Sequence, residues 1–283
     1  MKKEKTATIC ILISAILFST GGLGVKMIPW SGFAINGVRN LISVLLLGAY
    51  LKVTGHKIIV NKGVWLGAVC MAGTSTLFSV ANKMTTAANT IILQFTAPAF
   101  VILFMWLFFR ERPRRLDIIS CFVVFMGVVF FFIDSISAGN MMGNMLAVLS
   151  GISYAGVFMM NTFPGGDPLS SALLGQLLCA VTQMPFVLAE TEFTLPVVGA
   201  TVLLGVFQLG LAYIFMIWGL QHVSAVTAAL TSAIEPVLNP ILVAVFYKEM
   251  ISGFSLLGAI IVFAGVVGYN LLKVQKQRAS EKL

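Results

Sequence analysis

Apolar runs of about 20 residues follow one another along the chain, separated by short polar breaks, which is the pattern of segments that cross a bilayer. They fall at roughly 6–27, 32–53, 63–83, 86–108, 115–133, 143–162, 168–189, 197–219, 224–246 and 253–272. Within lipid every backbone N–H and C=O must be satisfied inside the protein, and the alternating pattern of a barrel strand is absent, so each run predicts a helix. The expected fold is an all-α integral membrane protein of ten transmembrane helices. The breaks carry helix-ending chemistry: Pro29, Gly55–His56, RERPRR at 110–115, Gly139–Asn140, PGGDP at 164–168, Glu190–Glu192 with Pro196, and Lys248–Glu249. None is long enough for a second, soluble domain. The opening MKKEK and the apolar stretch after it resemble a secretory signal. That stretch continues to about residue 25, so the first transmembrane helix is expected instead.

The chain also repeats itself. Residues 88–132 align with 226–270 without a gap. Pro98, Glu111 and Gly127 recur as Pro236, Glu249 and Gly265, FFRE (108–111) meets FYKE (246–249), and GVV (127–129) meets GVV (265–267). The constant offset of 138 is about half of the 283 residues. Two units follow, 1–135 and 136–283, the second ending in a short basic tail. Five spans per unit is an odd number, so the two must insert in opposite senses as inverted repeats. That architecture provides two related conformations around one central site.

Composition sharpens this picture. The chain is 59% hydrophobic and 10% charged, with a mean hydropathy of +1.00, against about 45–50% and 25% in soluble domains. The net charge of +8 does not indicate nucleic acid, because the positive residues sit at helix ends rather than in a patch interleaved with aromatics. They instead set the orientation. With the N-terminus in the cytoplasm, 14 of the 18 Lys and Arg residues fall on that side, against Lys26, Lys83 and Lys248 outside and Arg39 within span two. The expectation is a multi-pass protein of the cell membrane with both termini cytoplasmic. Cys10, Cys70, Cys121 and Cys179 stand singly in apolar runs, which predicts neither disulfides nor a metal site.

At this point the residues resemble a known family, the EamA-domain branch of the drug/metabolite transporter superfamily. The resemblance rests on TAANTIILQFTAPAFVILFMWLFFRE (86–111) and SAVTAALTSAIEPVLNPILVAVFYKE (224–249), each followed by a small-residue helix with GVV. LFSTGGLGVK (17–26), ISYAGVFMMN (152–161) and the span-two Arg39 also carry it. It covers nearly the whole chain. It implies a ten-helix carrier of amino acids, other metabolites or drugs, with a central cavity lined by spans one, three, four, six, eight and nine. The chain departs in its PGGDP break and in Gln176, which stands where a second span-two arginine would match.

Polar groups at bilayer depth are costly and mark function. Glu235, near the middle of span nine, is the sharpest. With Ser232 and Asn239 it follows the i, i+3, i+4 spacing of one helix face. It suits binding a cationic group or exchanging a proton; the plainer alternative is a structural acid beside a kink. Arg39 suits a substrate carboxylate, or else snorkels to the headgroups. Gln94 (sharing a face with Thr90), Gln208, Tyr154, Tyr213 and Trp218 could line a cavity for an amphipathic metabolite, each with interhelical bonding or interfacial anchoring as the alternative. Trp218 is close enough to a helix end to belong to the aromatic belt. Pro98, Pro236 and Pro240 each remove a backbone donor within a span and predict kinks that serve packing or gating. Gly258 and Gly265, seven apart on one face of span ten, could support a dimer seam, so a monomer or weak homodimer is expected.

No catalytic set, nucleotide loop or nucleophile elbow is present in the sequence, so neither a cofactor nor an enzyme activity is expected. Active transport would then draw on a gradient, with a proton as a candidate coupling ion. The expected function is secondary active transport of a small metabolite, an amino acid or an amphipathic or cationic solute, by alternating access and in the export direction. The alternatives are a channel-like facilitator, a flippase for lipid-like substrates, and a non-transporting receptor or scaffold. Missing charged filter rings weigh against the channel, and short loops weigh against the scaffold.

Overall fold

Polar residues at the breaks start and stop the helices. In a computed structural model, which describes residues 2–21, 25, 28–131, 133, 140–238 and 252–280, every described element is helical. In chain order these are α1 (Lys2–Ser19), α2 (Gly32–Thr54), α3 (Lys62–Met84), α4 (Ala87–Gln94), α5 (Ala97–Phe109), α6 (Arg115–Phe131) and α7 (Met141–Phe158). Then come α8 (Pro168–Leu188), α9 (Leu195–Leu203), a π-helix (Leu204–Leu211), α10 (Ala212–Leu220), α11 (Ala225–Ser232) and α12 (Gly253–Ser280). Side-chain oxygens of Ser31, Asn61, Thr86, Asn140, Asp167 and Ser224 accept from the amide three residues on, satisfying a first-turn donor in each case. Gly55 ends α2 in the left-handed region (φ 66°), which a residue with a Cβ rarely adopts.

Among the described residues, seven helices are long and apolar enough to cross a membrane: Gly32–Thr54, Lys62–Met84, Asn89–Phe109, Met141–Phe158, Pro168–Leu188, Leu195–Leu220 and Gly253–Gln275. The described parts of the other three expected spans are also helical. The first carries the charged KKEK of residues 2–5 in its opening turn, and the described parts of the others run only Arg115–Phe131 and Ala225–Leu238.

Two departures from uniform helix bear on the site. Span four breaks at Phe95–Thr96, where Pro98 enters as the second residue of α5 and offers no N–H to the turn before it. The Gln94 carbonyl at this break lies 2.8 Å from where a Cβ on Gly151 of α7 would sit. Span nine breaks at Ala233–Ile234, just before Pro236, and Ser224 caps it as Thr86 caps span four. Both the break and the cap recur at the offset of 138. The second departure is the π-helix in the middle of span eight, which the apolar pattern does not announce.

α2 packs on α8, α3 on α7 and α8, α1 on α10, and α6 on α12. The last pairing removes the expected dimer seam. A Cβ on Gly258 would stand 2.2 Å from the Phe131 nitrogen, and one on Gly265 3.0 Å from Val124 Cγ2, so this glycine face is consumed within the protomer. The lipid-facing side of α12 is instead Phe254, Leu257, Ile260 and Phe263, all exposed.

Polar contacts between breaks sort to the two ends of the bundle. At one end His56 meets Asp167 (3.0 Å), Lys273 meets Glu4 (3.1 Å), Tyr269 donates to Asp117 (2.9 Å) and Asn61 to the Gly165 carbonyl (2.7 Å). At the other, Trp30 donates to the Glu192 carbonyl (2.9 Å), the Ser31 amide to Glu190 (2.8 Å), Lys83 to the Ile28 carbonyl (2.8 Å) and Thr85 to Asn144 (2.8 Å).

Candidate functional site

Between these ends lies a cavity of about 50 Å³ lined by polar groups from both halves of the chain. Phe18 and Gly21 reach it from the first span, Arg39 from α2, Thr74, Ser75 and Phe78 from α3, and Ile91, Gln94 and Phe95 from α4 and its break. Tyr154 comes from α7, Gln208 and Leu209 from the π-helix, Tyr213 from α10, and Glu235 with Pro236 from just after the second break.

Arg39 is 2% exposed. Its guanidinium is held by neutral acceptors: Nε and Nη2 donate to Asn36 Oδ1 (3.2 and 3.0 Å), Nη2 also to Ser79 (2.9 Å) and more weakly to Ser75 (3.4 Å), and Nη1 to Gln208 Oε1 (3.2 Å). Asn36 is one turn before Arg39 on α2, and Ser75 and Ser79 are one turn apart on α3, so two packed helices build the cradle. Among the described residues no carboxylate lies within 4.0 Å of Arg39, and Nη1 makes one of its two available bonds. Snorkelling is therefore excluded: the charge sits in the interior.

Glu235 is the other ionisable group on the wall. Its one described hydrogen bond comes from the Tyr154 hydroxyl at 3.4 Å, and no cation lies within 4.0 Å among the described residues. A guanidinium and a carboxyl group thus share one small cavity without pairing with each other or with any other described residue. Bringing a charge into such surroundings without a partner is costly, and function is the usual reason it persists.

The rest of the wall is stiff. Tyr213 meets Phe18 edge-on at 5.0 Å, and Tyr154 packs on Phe158 at 4.6 Å and edge-on to Phe95 at 6.4 Å. Gln94 donates to Ser150 (2.8 Å), which in turn donates to the Thr74 carbonyl (3.1 Å). The π-helix presents Gln208 to Arg39 while Gly205 and Gly210 let its backbone lie against Ile42 and Leu46 of α2.

Of the residues expected from sequence, Arg39, Gln94, Gln208, Tyr154, Tyr213, Glu235 and Pro236 line this one cavity. Ser232 is buried away from it: the break at 233–234 interrupts the helix between Ser232 and Glu235, so the i, i+3 relation no longer places them on one face. Trp218 stacks on His222 (4.6 Å) near a helix end and lines a separate recess with Tyr50 and His56, as an interfacial anchor would. Pro98 lies behind the cavity, and Asn239 and Pro240 lie outside the described residues. Asn36, Ser75 and Ser79 were missed. Asn36 and Asn40 flank Arg39 within an apolar run, and that was the available signal.

A helical, multi-pass membrane protein with an interior polar cavity is the class these features define. The profile of the EamA-like transporter family matches the chain twice, over residues 5–133 and 141–271, and the chain belongs to that family. A Bacillus subtilis (strain 168) protein named Uncharacterized transporter YwfM is 27% identical over 297 aligned positions, spanning 99% of this chain and 98% of its own. A Clostridium kluyveri protein named Uncharacterized transporter is 23% identical, spanning 94% of each. A solved structure titled only "Crystal structure of protein" superimposes with a TM-score of 0.79 at 18% identity, over 95% of this chain and 98% of that one, which speaks for the fold.

Proposed function

We propose that this protein is a secondary active transporter that exports a small zwitterionic or cationic metabolite, such as an amino acid, across the cell membrane by alternating access. The observation that carries this reading is that the Arg39 guanidinium and the Glu235 carboxyl, neither with an ionic partner among the described residues, line one cavity. Arg39 would take a carboxylate through its free Nη1 hydrogen, and Glu235 would take an ammonium group or a coupling proton. Gln94, Gln208, Tyr154 and Tyr213 would shape the remaining wall.

The same reading holds that the chain forms ten spans as two inverted five-helix units, 1–135 and 136–283, with both termini cytoplasmic. Three observations support it. The family profile matches twice. The helix breaks at 95–96 and 233–234 share the offset of the sequence repeat. Every contact between breaks described above joins segments that this topology puts on one side. The cavity of about 50 Å³ is far below the volume of about 300–1,000 Å³ typical of small-molecule sites. It must widen to take a metabolite, and the two proline breaks and the π-helix are where the wall can give.

The test is a ligand screen of the purified protein by thermal shift, with amino acids, polyamines and cationic drugs as probes, followed by flux of any hit in proteoliposomes. A ligand at about 100 times its Kd stabilises by about 2.7 kcal/mol. The expected hit is a zwitterion whose shift disappears in both Arg39→Met and Glu235→Gln. A hit whose binding is indifferent to both substitutions would move the site elsewhere, and a panel that is blank in both binding and flux would overturn the substrate class.

A further inference from the structure

Orphaned polar groups line the interface of α2, α3 and α8. Among the described residues, five buried residues carry side-chain atoms without a hydrogen-bond partner: Asn40 (Oδ1), Ser43, Ser171, Gln176 (both amide atoms) and Asn82. Four of the five occupy one seam. Ser43 follows Asn40 by one turn on α2, and α2 runs against α8. A Cβ on Gly37 would touch Gln183, so six residues further along α2 and seven back along α8, Ser43 and Gln176 stand at one level of the antiparallel pair. On the far side of Gln176, Gly175 abuts Met71 and Ser171 abuts Gly67, both on α3. The seam lies between two hydrogen-bonded networks. At its upper end Asn40 Nδ2 donates to Asn36 and Ser75, which hold Arg39 on the cavity wall. At its lower end Ser171 closes the first turn, its amide donating to the carbonyl of the capping Asp167 (2.9 Å), whose side chain is bonded to the Ser170 amide (2.9 Å) and to His56 (3.0 Å).

We propose that this seam holds a chain of internal waters that carries protons between the His56–Asp167 pair and the Arg39–Glu235 cavity, separately from the substrate path. A buried polar atom without a partner is costly, and buried waters are the general means by which such atoms are satisfied in folded proteins. Ser171 and Gln176 are about 7.5 Å apart along the α8 axis. One or two waters along that separation would give Ser171, Gln176 and Ser43 the partners that they lack within the protein. The cavity, at about 50 Å³, has room for water against the 10–15 Å³ or so that one molecule needs, and so continues the chain to Glu235. The titratable or charged groups facing the route are His56 and Asp167 at its mouth, Cys179 of α8 (bonded to Thr76), and Arg39, Tyr154, Tyr213 and Glu235 at the cavity. Such a wire serves transport only if the cavity is the transport site, as proposed above, but its hydration exists or fails independently of flux.

Two measurements on the full chain in lipid nanodiscs test it. Brief X-ray radiolysis generates hydroxyl radicals from bound water in place. Met71, fully buried against the seam, should be oxidised, while the equally buried Met216 should be spared. A dry seam spares both and overturns the proposal without any variant. In the second, the infrared C=O band of Glu235, assigned by its loss in Glu235→Gln, is followed after transfer to D₂O at a pD that protonates it. Its deuteration should slow several-fold in Ser43→Ala/Gln176→Leu; an unchanged rate in a folded variant assigns proton access to another path and also overturns the proposal. A blank transport assay alters neither result.

Discussion

Replacing Arg39 with methionine separates a structural from a functional reason for the buried charge. The guanidinium makes four good hydrogen bonds, to Asn36 twice, Gln208 and Ser79, and a weak fifth to Ser75. Bonds to charged groups contribute about 1.5–3 kcal/mol each when they remain satisfied. Against them stands the cost of removing an unpaired cation from water, several kcal/mol even after relaxation. Methionine keeps the length and apolar volume and removes that cost. The acceptors left behind are not all stranded: Asn36 Oδ1 still accepts from Asn40 (2.9 Å) and Ser75, and the Ser79 hydroxyl donates to the Ser75 carbonyl (2.9 Å). Gln208 Oε1 loses its partner but faces the cavity, where water can serve it. The terms nearly cancel, so Arg39→Met should change unfolding free energy by no more than about 2 kcal/mol in either direction while ligand binding disappears. Reversible unfolding in lipid–detergent micelles by SDS titration, read beside the thermal-shift response, measures both. A loss above about 3–5 kcal/mol is what breaking a structural buried ion pair produces, and it would refute the reasoning that this charge is held for a ligand.

Three further outcomes follow from the packing and the ends of the helices. Gly258→Ala places a methyl 2.2 Å from the Phe131 backbone, which cannot yield as a side chain would, so it should destabilise by about 1–3 kcal/mol, whereas Gly268→Ala, with open space around it, should be neutral or slightly stabilising; melting curves of the two variants decide. Gly21→Ala would crowd the Gln208 amide (2.7 Å), the end of a flexible side chain, so stability should hold within about 1 kcal/mol while binding weakens as Gln208 leaves Arg39; an unchanged ligand shift would deny Gln208 a part in the site. Burial raises the Asp167 carboxyl, but the Ser170 donors and His56 outweigh it and hold the group below its ordinary value, so its contribution is present above about pH 4 and fades as pH falls through the lower folded value; Asp167→Ala should lower stability by about 1 kcal/mol near neutrality, a gap that narrows as the pH falls below about 4, as melting across pH would show.

The membrane class and most of the wall were legible because lipid leaves few reasons for a polar residue in an apolar run. Arg39, Gln94, Gln208 and Glu235 stand out individually in sequence, and the fold brings all four to one cavity. What escaped was set by local backbone. Ser232 and Glu235 satisfy the spacing of one helix face, yet the turn before Pro236 rotates one from the other. The π-helix around Gln208 has no signature in an apolar stretch, where every residue suits either winding. Gly258 and Gly265 read equally well as an inner or an outer seam, since small residues mark close approach without naming the partner helix.

The two matching segments differ where the candidate chemistry lies. Ala97 stands in the first segment where Glu235 stands in the second, 138 residues on, while Arg39 is answered in the second half by Gln176. Each half therefore contributes one ionisable group, a base in the first and an acid in the second, and neither repeats the other's. A repeat kept only for packing has no reason to retain an unpaired buried charge in either copy, because apolar replacements of similar volume are tolerated in such interiors. Placing one charge on each half makes the cavity sensitive to how the halves sit. A ligand carrying both charges gains its full interaction only when Arg39 and Glu235 approach it together, whereas a singly charged ligand engages one half and leaves the other charge unmet. Binding energy would then favour a particular arrangement of the halves only for the ligand that bridges them, and under the proposed alternating access that difference would let binding drive a change in which side the cavity faces.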